Sequence, residues 1–176
     1  GFEDVFAIGR GALEFADMYR FDYEQAPSIV ERRNVRGVAG RMDFLGTEHT
    51  PLDEEAVRQA ARELVHDMGC EAIAISFLHS YVNETHEKRA MELVRETVPG
   101  VEVSAGALLA NEYREYERTS TAVLDAYIKP VLKNYLGRVT DGIACAGFSG
   151  KTYAMNSAGG ALTFEMAEAQ PIATIL

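Results

Sequence analysis

Three polar side chains, His79, Ser80 and Tyr81, directly follow the mostly apolar run from Ala72 to Leu78. That run is short and rich in β-forming residues, which is typical of a strand buried on both faces of a parallel sheet. Ligands of open α/β sheets bind at the carboxyl ends of the strands, so the sequence predicts a site at these three residues. The alternative is that His79 and Ser80 only cap the strand and bond to the following turn, and both interpretations stay open.

A hydroxyl run, Thr119, Ser120 and Thr121, lies in the longest stretch with helical periodicity, from Glu112 to Leu136. Hydroxyl side chains at a helix start accept hydrogen bonds from the first backbone N–H groups, which have no partner inside the helix. The sequence therefore predicts that this run marks the start of a long central helix.

A glycine-containing segment follows the short strand predicted at residues 153–155. A strand running into Ser157, Gly159 and Gly160 could present backbone N–H groups to a phosphate or a carboxylate. A plain turn has the same residues, and no lysine follows to complete a phosphate loop. Both alternatives are kept.

The elements that must position these residues alternate between strands and helices. Strands are predicted over residues 33–43, 72–78 and 101–109, and helices over residues 54–68 and 84–98. Thr50 or Asp53 is expected to cap the first of these helices. The order of these strands and helices implies right-handed crossovers and an α/β fold with a mainly parallel or mixed sheet and the long central helix.

The central helix should bury one apolar face, because its apolar residues recur in steps of three and four. They are Val123, Leu124, Tyr127, Ile128, Val131, Leu132 and Tyr135. Pro130 interrupts the pattern and predicts a kink or two helices that meet there. A loop is expected over residues 140–151, and a further helix is expected to start at Thr163.

Composition excludes several classes of function. The chain has globular composition, with 47% hydrophobic and 25% charged residues, and a net charge of −10 that opposes binding to nucleic acid or anionic lipid. No apolar run is long enough to span a bilayer, and no signal peptide begins the sequence. The spacing of cysteine, histidine and acidic residues predicts no metal site.

Four segments, taken in order, resemble the hydantoinase A and 5-oxoprolinase family, which includes the N-methylhydantoinases. They read GFEDVFAIGRG, TPLDEEAVRQAARELVHDMGCEAIAISFLHSYVNETHEKRA, REYERTSTAVLDAYIKPVLKNYL and MNSAGG. The most specific parts are YERTST with the preceding Arg114 and Glu115, and LHSY followed by a short polar turn and HE. The resemblance covers nearly the whole chain.

The resemblance implies a cytoplasmic enzyme similar in fold to the sugar kinase, actin and chaperone ATPase superfamily. It implies that ATP, with Mg²⁺ expected to accompany it, phosphorylates the carbonyl oxygen of hydantoin or 5-oxoproline before the ring opens. Related subunits of acetone or acetophenone carboxylases instead activate a ketone or bicarbonate. Expected partners are a small cyclic amide or ketone and either a B-type subunit or further copies of the chain. A non-catalytic assembly module is the remaining alternative.

The resemblance also divides the chain. Residues 1–110 resemble the C-terminal part of the family's N-terminal region, and residues 111–176 resemble a truncated start of the hydantoinase A domain. The family's phosphate loops would lie before Gly1 and after Leu176, so the chain is expected to be an internal fragment that is inactive alone. Ala158 stands where the family usually has Asn.

Site residues follow from the same resemblance. The candidates for a catalytic role are Arg118 as an anion contact, Thr119 as a donor at the helix start and His79 as a polar orienter. The candidates for contacts to the nucleotide are Arg114, Thr121, Ser157, Gly159 and Gly160. For Arg118 the alternative is a salt bridge to Glu115 or another nearby acid.

Overall fold

The structure is a computed structural model that describes residues 2–8, 18–22 and 28–175. The sequence of residues 9–11, two glycines around Arg10, is compatible with either a plain turn or an anion contact, and this segment lies outside the described residues. The helices and strands follow in the order α1 (Val5–Ile8), β1 (Arg41–Met42), β2 (Glu48–Thr50), α2 (Glu54–Arg62), β3 (Ala72–Ile75), α3 (Thr85–Thr97), β4 (Glu102–Ala105), α4 (Gly106–Leu109), α5 (Glu115–Cys145), β5 (Tyr153–Met155), β6 (Ala161–Thr163) and α6 (Phe164–Ala169).

The main core lies between the parallel strands β3 and β4 and the helices α2 and α3. The strands pair from Ala72 opposite Glu102 to Ile75 opposite Ala105, and α3 is the crossover between them. The core side chains are Val57, Ala61, Ile73, Ile75, Ala90, Leu93, Val94, Val98 and Val103. The predicted order of strand, helix and strand is confirmed in this part of the chain.

Helix α2 begins where the sequence predicts. The carboxylate of Asp53 accepts a hydrogen bond of 3.0 Å from the N–H of Ala56, which satisfies one of the free N–H groups of the first turn. After Arg62 the helix continues as one wider turn, Glu63–Asp67, and the chain then leaves it through Gly69, whose φ is +70°.

The described part of the chain contains three two-stranded sheets rather than one mainly parallel sheet. Only β3 and β4 are parallel, while β1 pairs with β2 and β5 with β6 in antiparallel fashion. The strand predicted over residues 33–43 is reduced to Arg41–Met42. The strand predicted over residues 101–109 ends at Ala105, because the chain turns directly into α4. The architecture is therefore mixed α/β with small sheets.

Helix α5 is longer than predicted and packs against both strands of the parallel pair. It runs without interruption from Glu115 to Cys145 and contains Pro130, so the expectation of two helices meeting there is wrong. The loop expected over residues 140–151 is also wrong up to Cys145, because the small residues of this segment continue the helix. No helix in the described residues has the length and apolar content needed to cross a bilayer.

The buried face of α5 differs from the apolar face that the periodicity predicts. Val123 is buried, but Tyr127, Val131 and Tyr135 are 71%, 72% and 59% exposed. The side of the helix that packs against the sheet carries small and polar residues, namely Arg118, Ala122, Asp125, Ala126 and Lys129. A pair of strands is too narrow to cover both sides of the helix, so the predicted face is only partly buried.

The C-terminal segment begins with a hairpin. Strand β5 is confirmed at Tyr153–Met155 and pairs with β6, which the sequence did not predict. The helix start at Thr163 is confirmed, because the Thr163 hydroxyl accepts a hydrogen bond of 3.3 Å from the N–H of Met166 at the start of α6. A short 3₁₀ helix, Pro171–Thr174, then packs against α5.

Candidate functional site

The candidate site lies just beyond the carboxyl end of β3, where the chain makes a turn through residues 76–81. The carbonyl of Phe77 accepts a hydrogen bond of 3.1 Å from the Ser80 hydroxyl. The carbonyl of His79 accepts hydrogen bonds from the N–H groups of Val82 and Asn83. His79 has a φ of +59°, which is uncommon for a residue with a side chain and is often found at functional sites.

Glu87 of α3 connects this turn with the end of the neighbouring strand. One carboxylate oxygen accepts a hydrogen bond of 2.8 Å from the N–H of Phe77, and the other accepts one of 2.7 Å from the N–H of Ala107. The side chain is fully buried. The single carboxylate therefore bonds to the backbone that follows β3 and to the backbone that follows β4.

Burial raises the pKa of the Glu87 carboxyl above its usual value. The two backbone N–H groups and the positive charge of Arg118 act in the opposite direction, because each stabilises the carboxylate. At Glu87, burial disfavours the charged carboxylate, while the two N–H donors favour it, and the effect of burial is the larger one.

Arg118 of α5 holds the same turn from the other side. Its guanidinium donates hydrogen bonds of 2.9 Å to the carbonyls of Phe77 and Glu112, and the residue is fully buried. Its Nε has no hydrogen-bond partner among the described residues. Gly106 leaves room for the side chain, because a β-carbon there would lie 2.9 Å from Cγ of Arg118.

Side chains of opposite charge thus bind the backbone of Phe77, with Glu87 at its N–H and Arg118 at its carbonyl. Glu87 accepts from the N–H, and Arg118 and Ser80 donate to the carbonyl. The alternative of a salt bridge between Arg118 and Glu115 is not what the structure has, because the hydrogen bonds of the guanidinium go to backbone carbonyls.

Aromatic rings surround the exit of the turn. The guanidinium carbon of Arg118 lies 5.7 Å from the centre of the Tyr81 ring, within the range of a cation–π interaction. The Tyr81 ring lies 6.0 Å from that of His79 and 5.8 Å from that of Tyr113. Nδ1 of His79 is buried and has no hydrogen-bond partner within the described ranges. The arrangement could orient a small polar ligand beside aromatic surface.

The hydroxyl run lies in the second turn of α5 rather than at its start, which is a correction. The helix begins at Glu115, and Arg114 before it has a φ of +93° and no side-chain cap. The Thr119 hydroxyl is 2.7 Å from that of Ser76, beside the end of β3. The Thr121 hydroxyl instead donates to the carbonyl of Glu117, one turn earlier in the helix.

Arg118, Thr119 and His79 are brought together around the end of β3, whereas Arg114 is exposed beside this group. The guanidinium of Arg114 lies 3.8 Å from the carboxylate of Glu117, and its side chain is 60% exposed. Of the two nucleotide-contact candidates near the start of α5, Arg114 is therefore more exposed than Thr121.

Ser157, Gly159 and Gly160 form the turn of the β5–β6 hairpin. The N–H groups of Ser157 and Gly159 donate to the carbonyls of Ala173 and Asn156, and the N–H of Ala158 donates to the Asn156 side chain. The bond from Ser157 links the hairpin to the 3₁₀ helix Pro171–Thr174. In this conformation the N–H groups of Ser157, Ala158 and Gly159 already donate hydrogen bonds within the protein.

A second buried polar network lies deeper between α5 and β4. Asp125 is fully buried and accepts hydrogen bonds from the Ser104 hydroxyl at 2.6 Å and from the N–H of Ile172 at 3.0 Å. The Lys129 ammonium lies 3.3 Å from the same carboxylate and 3.3 Å from the carbonyl of Val103. This network joins β4, α5 and the C-terminal segment.

Sequence reasoning did not single out Glu87, Asp125 or Lys129. The signal for Glu87 was the pair HE that follows LHSY, and the signal for the other two was a carboxylate and an ammonium four residues apart on one helix. On a helix such pairs are usually solvated, so only packing reveals that this one is buried.

An open cleft of about 1110 Å³ lies beside β3 and between α2 and α5. Its walls are mostly apolar and include Ala72, Ile73 and Val131, while Ser76 and Thr119 also line it. No group of three or more histidine, cysteine or acidic side chains that could hold a metal ion occurs among residues 2–8, 18–22 and 28–175.

Acidification should change the stability of the protein through Glu87. The folded state keeps the proton of this carboxyl to a higher pH than the unfolded state, so its contribution to stability falls as pH rises above 4.5. We expect the protein to gain stability relative to a Glu87→Gln variant as pH is lowered from 7 toward 4.5, by at most about 1.4 kcal/mol per pH unit. Urea unfolding of both proteins at several pH values measures this difference, and a constant difference would contradict the assignment.

The comparisons with known proteins identify the family of this chain. The model of the hydantoinase/oxoprolinase N-terminal region matches residues 1–98, and the hydantoinase/oxoprolinase model matches residues 118–176. The chain belongs to the hydantoinase/oxoprolinase family.

Relatives of two kinds are similar to most of the chain. The acetophenone carboxylase gamma subunit of Aromatoleum aromaticum is 36% identical in an alignment of 171 positions that covers 91% of this chain and 23% of that protein. The crystal structure of the ATP-dependent caprolactamase from Pseudomonas jessenii matches with a TM-score of 0.82 and 36% identity over 92% of this chain and 23% of that one. The nucleotide-free structure of acetone carboxylase matches with a TM-score of 0.82 and 30% identity over 99% of this chain and 26% of that one. The chain spans about a quarter of the length of these relatives.

Proposed function

We propose that this chain is part of a longer enzyme that uses ATP to open a cyclic amide. The observation that carries the proposal is the similarity of 92% of the chain, at 36% identity, to an ATP-dependent caprolactamase. Membership in the hydantoinase/oxoprolinase family supports the same class of reaction.

The chemistry explains why such an enzyme needs ATP. Amide resonance makes the ring hard to hydrolyse, and phosphorylation of the carbonyl oxygen supplies a leaving group. In the proposed reaction the γ-phosphoryl group passes from ATP to that oxygen and ADP leaves. One water then adds to the carbon and the C–N bond of the ring breaks, and a second water hydrolyses the resulting acyl phosphate to the carboxylate and free phosphate. Positioning and neutralisation of charge dominate catalysis of such transfers.

The proposed residue roles start from the strand-end group. Arg118, Thr119 and His79 are the candidates for catalysis, but the burial of Arg118 favours an indirect role in which its charge fixes the turn. Arg114, Thr121, Ser157, Gly159 and Gly160 remain the candidates for nucleotide contacts. The hydrogen bonds inside the hairpin would have to change for most of its N–H groups to reach a phosphate.

The remaining features of the proposal concern the whole protein. We propose an actin-like ATPase fold, with residues 1–110 ending the N-terminal region and residues 111–176 beginning the hydantoinase A domain. Mg²⁺ would accompany ATP. A B-type subunit or further copies would be its partners, and the protein would act in the cytoplasm.

Carboxylation of a ketone is the second candidate function. It is favoured by the match of 99% of the chain to acetone carboxylase and by the similarity to the acetophenone carboxylase gamma subunit. A non-catalytic assembly module is the third candidate, and the exposed apolar side chains of α5 favour it.

The test is ADP release by the complete protein with its partner subunit. Hydantoin, 5-oxoproline and caprolactam are compared with acetophenone or acetone plus bicarbonate. Stimulation by a cyclic amide supports the proposal, and stimulation only by a ketone with bicarbonate replaces it with the carboxylase. If the complete protein binds no ATP in a calorimetric titration, both enzymatic functions are overturned.

A further inference from the structure

We propose that Glu87 is a positioning residue that fixes the strand-end site through the backbone of Phe77. This inference rests on the proposed function, because it assigns the buried carboxylate to the geometry of the same site. Glu87 lies on the crossover helix α3, and its two oxygens bond separately to the backbone beyond β3 and beyond β4.

Hydrogen bonding two backbone N–H groups to a buried carboxylate costs desolvation free energy, because burial strongly disfavours the charged form. Glutamine would offer one acceptor oxygen, and its NH₂ group would face the second N–H donor. A carboxylate is the side chain that accepts from both turns at once. The site therefore requires glutamate chemistry at this position if the two strand ends are to stay at a fixed separation.

The effect of Glu87 reaches the site through a short chain of contacts. The N–H of Phe77 donates a hydrogen bond to Glu87, and its carbonyl accepts hydrogen bonds from the Arg118 guanidinium and the Ser80 hydroxyl. His79, which has a left-handed backbone conformation, lies two residues after Phe77 in the same turn. Movement of the Phe77 peptide would therefore displace Arg118 and His79 together.

The experiment compares Glu87→Gln with Ser104→Ala in the complete enzyme. Ser104→Ala removes a buried hydrogen bond from the Asp125 network, so it controls for the loss of stability alone. We expect Glu87→Gln to lower kcat for ADP release about 100-fold with little change in the Kd for ATP, because a small displacement of catalytic groups costs rates of that size. Ser104→Ala should keep kcat close to that of the unchanged enzyme.

Hydrogen exchange measured by mass spectrometry gives a readout that does not require activity. In Glu87→Gln, peptides covering residues 76–81 and 104–109 should exchange at least about tenfold faster, because each loses a charged acceptor for its N–H group. Ser104→Ala should leave the first peptide unchanged. If Glu87→Gln keeps both kcat and these exchange rates, the inference is overturned. If the unchanged enzyme releases no ADP with any substrate, the proposed function fails, and the exchange rates alone decide whether Glu87 fixes the turn.

Discussion

Arg118→Ala is expected to lower the free energy of unfolding by about 3 kcal/mol, and turnover of the complete enzyme by about 100-fold. The residue is fully buried, and its guanidinium bonds to the carbonyls of Phe77 and Glu112. Its removal leaves these carbonyls without their guanidinium donor and takes a favourable positive charge away from the buried Glu87 carboxylate. Urea unfolding and ADP release measure the two effects.

Arg118→Lys is the matched variant for this prediction. It keeps the positive charge, but a single ammonium on a shorter side chain cannot reproduce both planar guanidinium contacts. We expect it to recover part of the stability and little of the turnover. A protein with alanine at this position that unfolds at the same urea concentration as the original would show that the two carbonyl bonds contribute nothing.

Asp125→Asn is expected to lower the free energy of unfolding by about 3 kcal/mol because it leaves the Lys129 ammonium buried without a compensating charge. The amide oxygen can still accept the hydrogen bond from the N–H of Ile172, and the Ser104 hydroxyl can turn to accept one from the amide NH₂ group, so the loss should come mainly from Lys129. Urea unfolding of the single variant measures the loss.

The double variant Asp125→Asn with Lys129→Met tests the cause. Methionine keeps most of the volume of the lysine side chain and removes its charge, so the double variant should recover at least half of the loss. If the loss of stability in the double variant equals the sum of the losses in the two single variants, Asp125 and Lys129 act independently and the account is contradicted. Lys129→Met in the unchanged background completes the cycle.

Local patterns in the sequence were sufficient for the elements that depend on local forces. Asp53 at the start of α2 and Thr163 at the start of α6 act as caps in the structure because a capping side chain bonds within its own turn. Of the strand predicted over residues 72–78, only Ala72–Ile75 forms, with Ile73 and Ile75 buried, and it pairs in parallel with β4 as expected. The polar residues after this strand do lie beside Arg118 and Thr119.

Tertiary packing decided what the sequence could not. Periodicity placed Tyr127 and Val131 of α5 on a buried face, but the narrow sheet packs against the side that carries Asp125 and Lys129. The hydroxyl of Thr119 fits a helix cap in sequence terms, yet it bonds across to Ser76 because the helix starts one turn earlier. Glu87 has an ordinary position near a helix start, and only the meeting of two strand ends gives its carboxylate two partners.

The most direct test of the central claim is the ratio of ADP to ring-opened product. The complete enzyme with its partner subunit is incubated with ATP and either hydantoin or 5-oxoproline, and both products are quantified over time. The account predicts one ADP for each opened ring with at least one of these substrates, and no ring opening without ATP. Ring opening that proceeds at the same rate without ATP, or ADP release only when a ketone and bicarbonate are present, would contradict it.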